Sequence, residues 1–192
     1  MSKATFDLVI VGVGGQGTLL ASKILGRLAL SENCGVKVSE VHGMSQRGGS
    51  VITYVRVGDR VHSPIVGLGQ ADYLLGFEAL EAARAADYLK PDGAAIVNTQ
   101  EILPMPVITG AARYPETPLA ALDGRRVECA DALKLAVEAG SQKALNLVLL
   151  GMLSRHLPFA EKAWRDAIAE CVPQKTLAVN LAAFSSGRGL AA

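Results

Sequence analysis

The sequence is short of the residues from which most cofactor centres are built. It holds three cysteines, Cys34, Cys129 and Cys171, in 192 residues. They are widely separated and form no C-x-x-C pair, which excludes the spaced ligand sets of iron–sulfur clusters and structural zinc. An odd, patternless set reads as buried or idle thiols in a reducing compartment. The three histidines, His42, His62 and His156, show no metal-type spacing, so no metal site is expected. Charge is also scarce, at 19% of residues, below the usual quarter or so, as in a protein whose surface is partly covered by a partner. The net charge of +1 excludes broad attraction to nucleic acid or to a membrane surface. No apolar run approaches the roughly 18 residues of a membrane span. The first residues pass straight into a strand with no leader pattern, so a cytoplasmic location is expected.

What is present is apolar and ordered. Half of the residues are hydrophobic, and a chain of this length buries about 70% of its unfolded surface. Phe6-Asp7-Leu8-Val9-Ile10-Val11 is a β-branched run of buried-strand type. Residues 18–30 carry Leu19, Leu20, Ile24, Leu25 and Leu28 at helical spacing. Between them stands Gly12-Val13-Gly14-Gly15-Gln16-Gly17, so the glycines occupy a strand-to-helix turn. Gly12, Gly14 and Gly17 match G-x-G-x-x-G. Such a turn lets backbone approach closely and leaves N–H groups at a helix N-terminus, where an anion is favoured. Two readings stay open at this point: a phosphate-bearing ligand, or tight strand–helix packing. A nucleotide-hydrolase loop is excluded, because Thr18 follows Gly17 where that loop requires lysine. A dinucleotide site wants an acid near the end of the second strand, and Glu40, ending Val36-Lys37-Val38-Ser39-Glu40, is placed for it.

The remaining chain alternates strands and helices. Residues 51–57 form a strong strand; Gly58-Asp59 reads as a hairpin turn with residues 60–63 returning antiparallel. Residues 72–77 are a buried strand ending at Glu78, residues 79–88 a helix, residues 90–93 a turn and residues 94–98 a strand. Four prolines punctuate residues 99–118, within which residues 106–109 are a candidate short strand. Residues 127–129 are a last strand, and Asp131 an N-cap for a helix to residue 139. Residues 142–155 are apolar nearly all round, the mark of a helix buried on several sides. Two more helices follow, over residues 160–171 and from Pro173 to about residue 186. The expected fold is α/β: a single domain over residues 1–192 with a three-layer α/β/α Rossmann-like mixed sheet over 1–139 and a helical C-terminal tail over 140–192.

A second polar, glycine-bearing stretch, His42-Gly43-Met44-Ser45-Gln46-Arg47-Gly48-Gly49-Ser50, follows the second strand. Arginine offers a planar fork for a carboxylate or phosphate, and adjacent glycines can turn N–H groups toward the same anion. If the second strand runs the same way as the first, both glycine loops lie at one sheet edge, where ligands of open α/β sheets bind. The alternative is a turn whose arginine pairs with a local acid. Ser45 lacks the G-x-S-x-G elbow of a nucleophile, a lone loop histidine such as His42 is more often solvated or structural, and a residue such as Glu78 more often caps a helix or makes an ion pair, so no catalytic residue is assigned.

These motifs carry a resemblance. Gly-Gly-Gln-Gly at residues 14–17 with Arg-Gly-Gly at 47–49 resembles the gamma subunits of 2-oxoacid:ferredoxin oxidoreductases. Glu40-Val41-His42-Gly43-Met44-Ser45-Gln46-Arg47-Gly48-Gly49 points to the indolepyruvate branch, whose small subunit is termed beta. Ala71-Asp72, Phe77-Glu78, Ala144-Leu145-Asn146 and Leu149-Leu150-Gly151 extend the resemblance over nearly the whole chain. It implies oxidative decarboxylation of an aryl 2-oxoacid to acyl-coenzyme A and carbon dioxide, with electrons passing to ferredoxin. It implies that thiamine diphosphate and 4Fe-4S iron–sulfur clusters belong to a large alpha subunit, that coenzyme A is a co-substrate, and that this chain alone binds no cofactor. A hetero-oligomer is implied, with a homodimer an option for the isolated chain. Ligand contacts are expected from Gly12, Gly14, Gly15, Gln16, Gly17, His42, Ser45, Gln46, Arg47, Gly48 and Gly49. The alternatives are a stand-alone nucleotide-binding protein, or the gamma subunit of a pyruvate, ketoisovalerate or 2-oxoglutarate enzyme.

Overall fold

The computed structural model describes residues 4–43 and 48–190. Its strands are β1 (Phe6–Val13), β2 (Gly35–His42), β3 (Ser50–Gly58), β4 (Ala71–Gly76), β5 (Leu89–Asn98) and β6 (Arg126–Ala130). They form a mixed sheet in the order β2-β3-β1-β4-β5-β6. β1, β4, β5 and β6 are parallel neighbours, whereas β3 is antiparallel to both β1 and β2. β2 therefore runs in the same direction as β1 although it does not touch it, and the ends of both strands fall on one edge.

The helices are α1 (Thr18–Ser31), α2 (Ala79–Arg84), α3 (Met105–Ile108), α4 (Ala132–Glu138), α5 (Leu145–Leu153), α6 (Glu161–Cys171) and α7 (Leu177–Arg188). Alternation along β1 feeds two cores. Phe6, Leu8 and Ile10 point to a large cluster with α1, α5, α6 and α7, while Val9 and Val11 point to a smaller one with α2 and the turn at Leu122. A strand buried on both faces reads as an unbroken apolar run, which explains the sequence of β1. The expected three-layer α/β/α arrangement is thus present, with helices on both faces of a mixed sheet. Among the described residues no helix is long and apolar enough to cross a membrane.

Three local expectations are corrected. Residues 60–63 do not return as a strand, because β3 is already paired along both edges by β1 and β2 and offers no free ladder. Residues 106–109 fall in the one-turn helix α3 and its C-cap, with proline in the first turn. Proline fits there without loss, whereas a strand would need its missing N–H. Residues 90–93 lie inside β5, and a register shift between Ala71 and Tyr73 of β4 absorbs the irregularity.

All nine residues of α5 are buried. Its close packing on α7 brings backbone against backbone: a Cβ on Gly151 would overlap the Phe184 carbonyl oxygen, and one on Gly187 the Val148 carbonyl oxygen. Neither obstacle is a side-chain tip that can swing aside. Gly151→Ala and Gly187→Ala are each expected to lower stability by about 3 kcal/mol. Urea unfolding would read this as a lower midpoint at unchanged slope; unchanged midpoints would contradict the packing.

Candidate functional site

The strand-to-helix turn after β1 is held from inside by one side chain. Gln16 Oε1 accepts the Val13 N–H at 2.7 Å, and Gln16 Nε2 donates to the Phe77 carbonyl at 2.9 Å. Both ends of its amide are spent on backbone, which fixes the turn against the end of β4. Gly12 is required by this arrangement, because a Cβ there would lie 2.8 Å from both Gln16 Oε1 and Phe77 Cβ. Gly17 adopts φ 91°, a left-handed conformation that glycine tolerates. A Cβ at Gly17 would also sit 2.9 Å from Asn146 Nδ2. Asn146, at the start of α5, donates to the Gly17 carbonyl at 3.3 Å.

The second glycine loop meets the first. Val13 pairs with Ser50 across β1 and β3, and the Gly14 N–H donates to the Gly49 carbonyl at 2.9 Å. The two motifs are thus joined by a direct backbone hydrogen bond at the common edge. Of the expected site residues, Gly14, Gly15 and Gly17 line a cleft of about 360 Å³ with His42 and Glu40. Gln16 faces a second cleft, of about 460 Å³, on the other side of the turn. Gly12 is buried and acts through spacing, and Gly48, at φ 75°, and Gly49 belong to the joined loop. Ser45, Gln46 and Arg47 lie outside the described residues, as does Met44.

The position of Glu40 bears on dinucleotide binding. In such sheets the acid-bearing strand lies beside β1; here β3 stands between, moving β2 one strand spacing, about 4.8 Å, further away. Glu40 also accepts the Thr53 hydroxyl at 3.1 Å across the strand pair.

Two residues that sequence reasoning left out of the site organise its other half. Asn98, fully buried at the end of β5, donates to the same Phe77 carbonyl at 2.9 Å and accepts the Ala132 N–H of α4 at 3.0 Å. Glu78, 1% exposed, caps α2 through the Glu81 N–H at 2.8 Å. It also accepts the Ile102 N–H at 3.0 Å and the Tyr114 hydroxyl at 2.9 Å. It thereby straps the proline-rich segment down beside the glycine turn. Burial, and then the hydrogen bond to Glu78, push the Tyr114 phenol well above its usual range. The sequence signal available was a polar residue closing each of two apolar strands, directly before a helix or loop. The strapped segment presents Leu103, Met105 and Ile108 to solvent, and Leu19 is 65% exposed in the first turn of α1.

A cavity of about 600 Å³ at the opposite edge is lined by Asp7, Arg56, Asp72 and Lys90. Those four charges pair with one another, in Arg56–Asp7 at 2.8 Å and in Lys90–Asp72. Cys34, Cys129 and Cys171 sit on separate elements, and among the described residues no group of three or more metal-ligating side chains converges. The side chains of the described residues therefore do not fit an iron–sulfur cluster.

Residues 7–190 match the family described as pyruvate ferredoxin/flavodoxin oxidoreductase. The indolepyruvate oxidoreductase subunit IorB of Thermococcus kodakarensis is 44% identical, over 95% of this chain and 94% of the relative. The corresponding subunit of Pyrococcus horikoshii is 42% identical, over 95% and 94%. Among solved structures, the gamma subunit of a keto/oxoacid ferredoxin oxidoreductase from Geobacter sulfurreducens superposes with TM-score 0.70 at 22% identity, covering 95% of each chain. That likeness bears on fold.

Glu78→Leu removes the acceptor for three donors at once, and a loss of about 3 kcal/mol is expected, against about 1 kcal/mol for Tyr114→Phe. Hydrogen exchange at the Ile102 amide should accelerate in the first variant. The raised Tyr114 phenol contributes stability in full below the ordinary phenol pKa near 10, and that contribution is lost as pH climbs through the raised folded value. Ultraviolet titration should show Tyr114 ionising later than a free tyrosine, and earlier in Glu78→Gln than in the unaltered protein; coincident curves would contradict the assignment.

Proposed function

Because the chain belongs to the pyruvate ferredoxin/flavodoxin oxidoreductase family, we propose that it is the small subunit of an indolepyruvate:ferredoxin oxidoreductase that works in the cytoplasm. The reaction is oxidative decarboxylation of an aryl 2-oxoacid to acyl-coenzyme A and carbon dioxide, with two electrons delivered to ferredoxin. The observation that carries the reading is the union of the two family motifs: Gly14 is hydrogen-bonded to Gly49 at a single sheet edge. Full-length similarity to indolepyruvate oxidoreductase subunits supports the branch.

In this reading the large subunit carries thiamine diphosphate, which supplies the decarboxylating centre, and iron–sulfur clusters, which supply the electron outlet. This chain supplies shape. Gln16 and Asn98 fix the glycine turn through the Phe77 carbonyl, and Glu78 holds the neighbouring segment. The exposed Leu19, Leu103, Met105 and Ile108 give the partner apolar surface to cover. Glu78 and Glu81 are buried and engaged by donors from the protein itself, so they shape the edge rather than react at it.

Purified alone, the chain is expected to reduce no acceptor with indolepyruvate and coenzyme A. Co-expression with a cluster-bearing large subunit should yield a stable complex that reduces ferredoxin. Turnover by the isolated chain, or failure of the two to co-purify, would overturn the proposal.

A further inference from the structure

The glycine turn separates two clefts of opposite electrostatic character. The one toward β2 contains a carboxylate, Glu40. The one toward α5, about 460 Å³, is lined by no Asp or Glu and by one cation, Lys143. Among the described residues no carboxylate pairs with the Lys143 ammonium. The volume lies within the range of small-molecule sites.

The amides around this second cleft are oriented by their neighbours. Gln16 is spent on Val13 and Phe77. Asn146 is spent on the Gly17 carbonyl and the Leu147 N–H. Gln100 accepts the Asn98 side-chain N–H on its Oε1 at 3.4 Å, which leaves its NH₂ as the end available to a ligand. Gln142 and Lys143 stand exposed beside it on the rim. The available groups are therefore weighted toward donors, with one full positive charge. Leu20, Ile102, Leu133 and Leu145 form an apolar floor. One cation with neutral donors matches a singly charged acceptor better than a phosphate dianion, and the floor matches a hydrocarbon or aryl body.

The geometry points to this cleft as a binding site for a small monocarboxylate with an apolar body, its carboxylate against Lys143 and the Gln100 amide. The inference goes beyond the proposed function and is tested on the full chain by binding alone. Failure to assemble with a large subunit would overturn the proposed function and leave this site standing. The probe is phenylacetate, titrated by calorimetry and followed by amide NMR at Gly15, Gly17 and Leu145. Saturable binding is expected. Affinity should fall about tenfold in Lys143→Met, and about tenfold for the neutral isostere phenylacetamide, the scale of one charge-assisted hydrogen bond. Lys162→Met, on the exposed face of α6, should leave it unchanged. No saturation with phenylacetate, equal affinity in Lys143→Met, or tighter binding of inorganic phosphate than of phenylacetate would overturn the site.

Discussion

One carbonyl oxygen organises the functional edge. Phe77 C=O accepts from both Gln16 and Asn98. Through these two amides the glycine turn, the end of β4, the end of β5 and the start of α4 are tied into a continuous hydrogen-bonded line, because the far ends of the same amides reach Val13 and Ala132. A buried acceptor with both lone pairs engaged is costly to disturb, since removing either partner leaves polar groups without water or replacement. The turn is thus rigid for a reason that lies in side chains, although its sequence advertises glycine. Glu78 extends the line to the proline-rich segment through Ile102 and Tyr114.

This has a chemical consequence. The polar side chains that organise the edge, Gln16, Glu78 and Asn98, are engaged by the protein itself. What the edge leaves for others is exposed backbone in the turn, apolar side chains on α1 and α3, and two small clefts of different charge. Among the described residues, an edge built in this way is suited to positioning and covering. That fits a subunit whose contribution to an oxidoreductase is to complete a surface.

Much of the fold was legible from the chain. β1, α1, β4, α5 and α6 each had an unbroken apolar run or a clear 3.6-residue period, and Asp131 caps α4 as expected, accepting the Lys134 N–H. The errors share a cause. Residues 60–63 have strand chemistry, but β3 has no edge left to offer them, and occupancy of an edge is not a local property. At residues 106–109, β-branched Val107 and Ile108 suggested a strand, whereas Pro104 and Pro106 start a helical turn. For the site, the meeting of the two glycine loops follows from β1–β3 pairing and could be reasoned only as far as their sharing an edge. Gln16 was named as a ligand contact, and its hold on Phe77 depends on a residue 61 positions away. Asn98, Lys143 and Gln142 were invisible as site residues for the same reason: they converge through topology rather than spacing.

The central claim is that this chain offers a rigid, preformed edge to a companion subunit. The most direct measurement is hydrogen–deuterium exchange of the chain alone and in complex with the proposed large subunit. The account predicts added protection at residues 14–20 and 101–109, with the opposite edge at residues 59–69 unchanged. Protection confined to residues 59–69, with the glycine turn and the strapped segment exchanging as in the free chain, would contradict it.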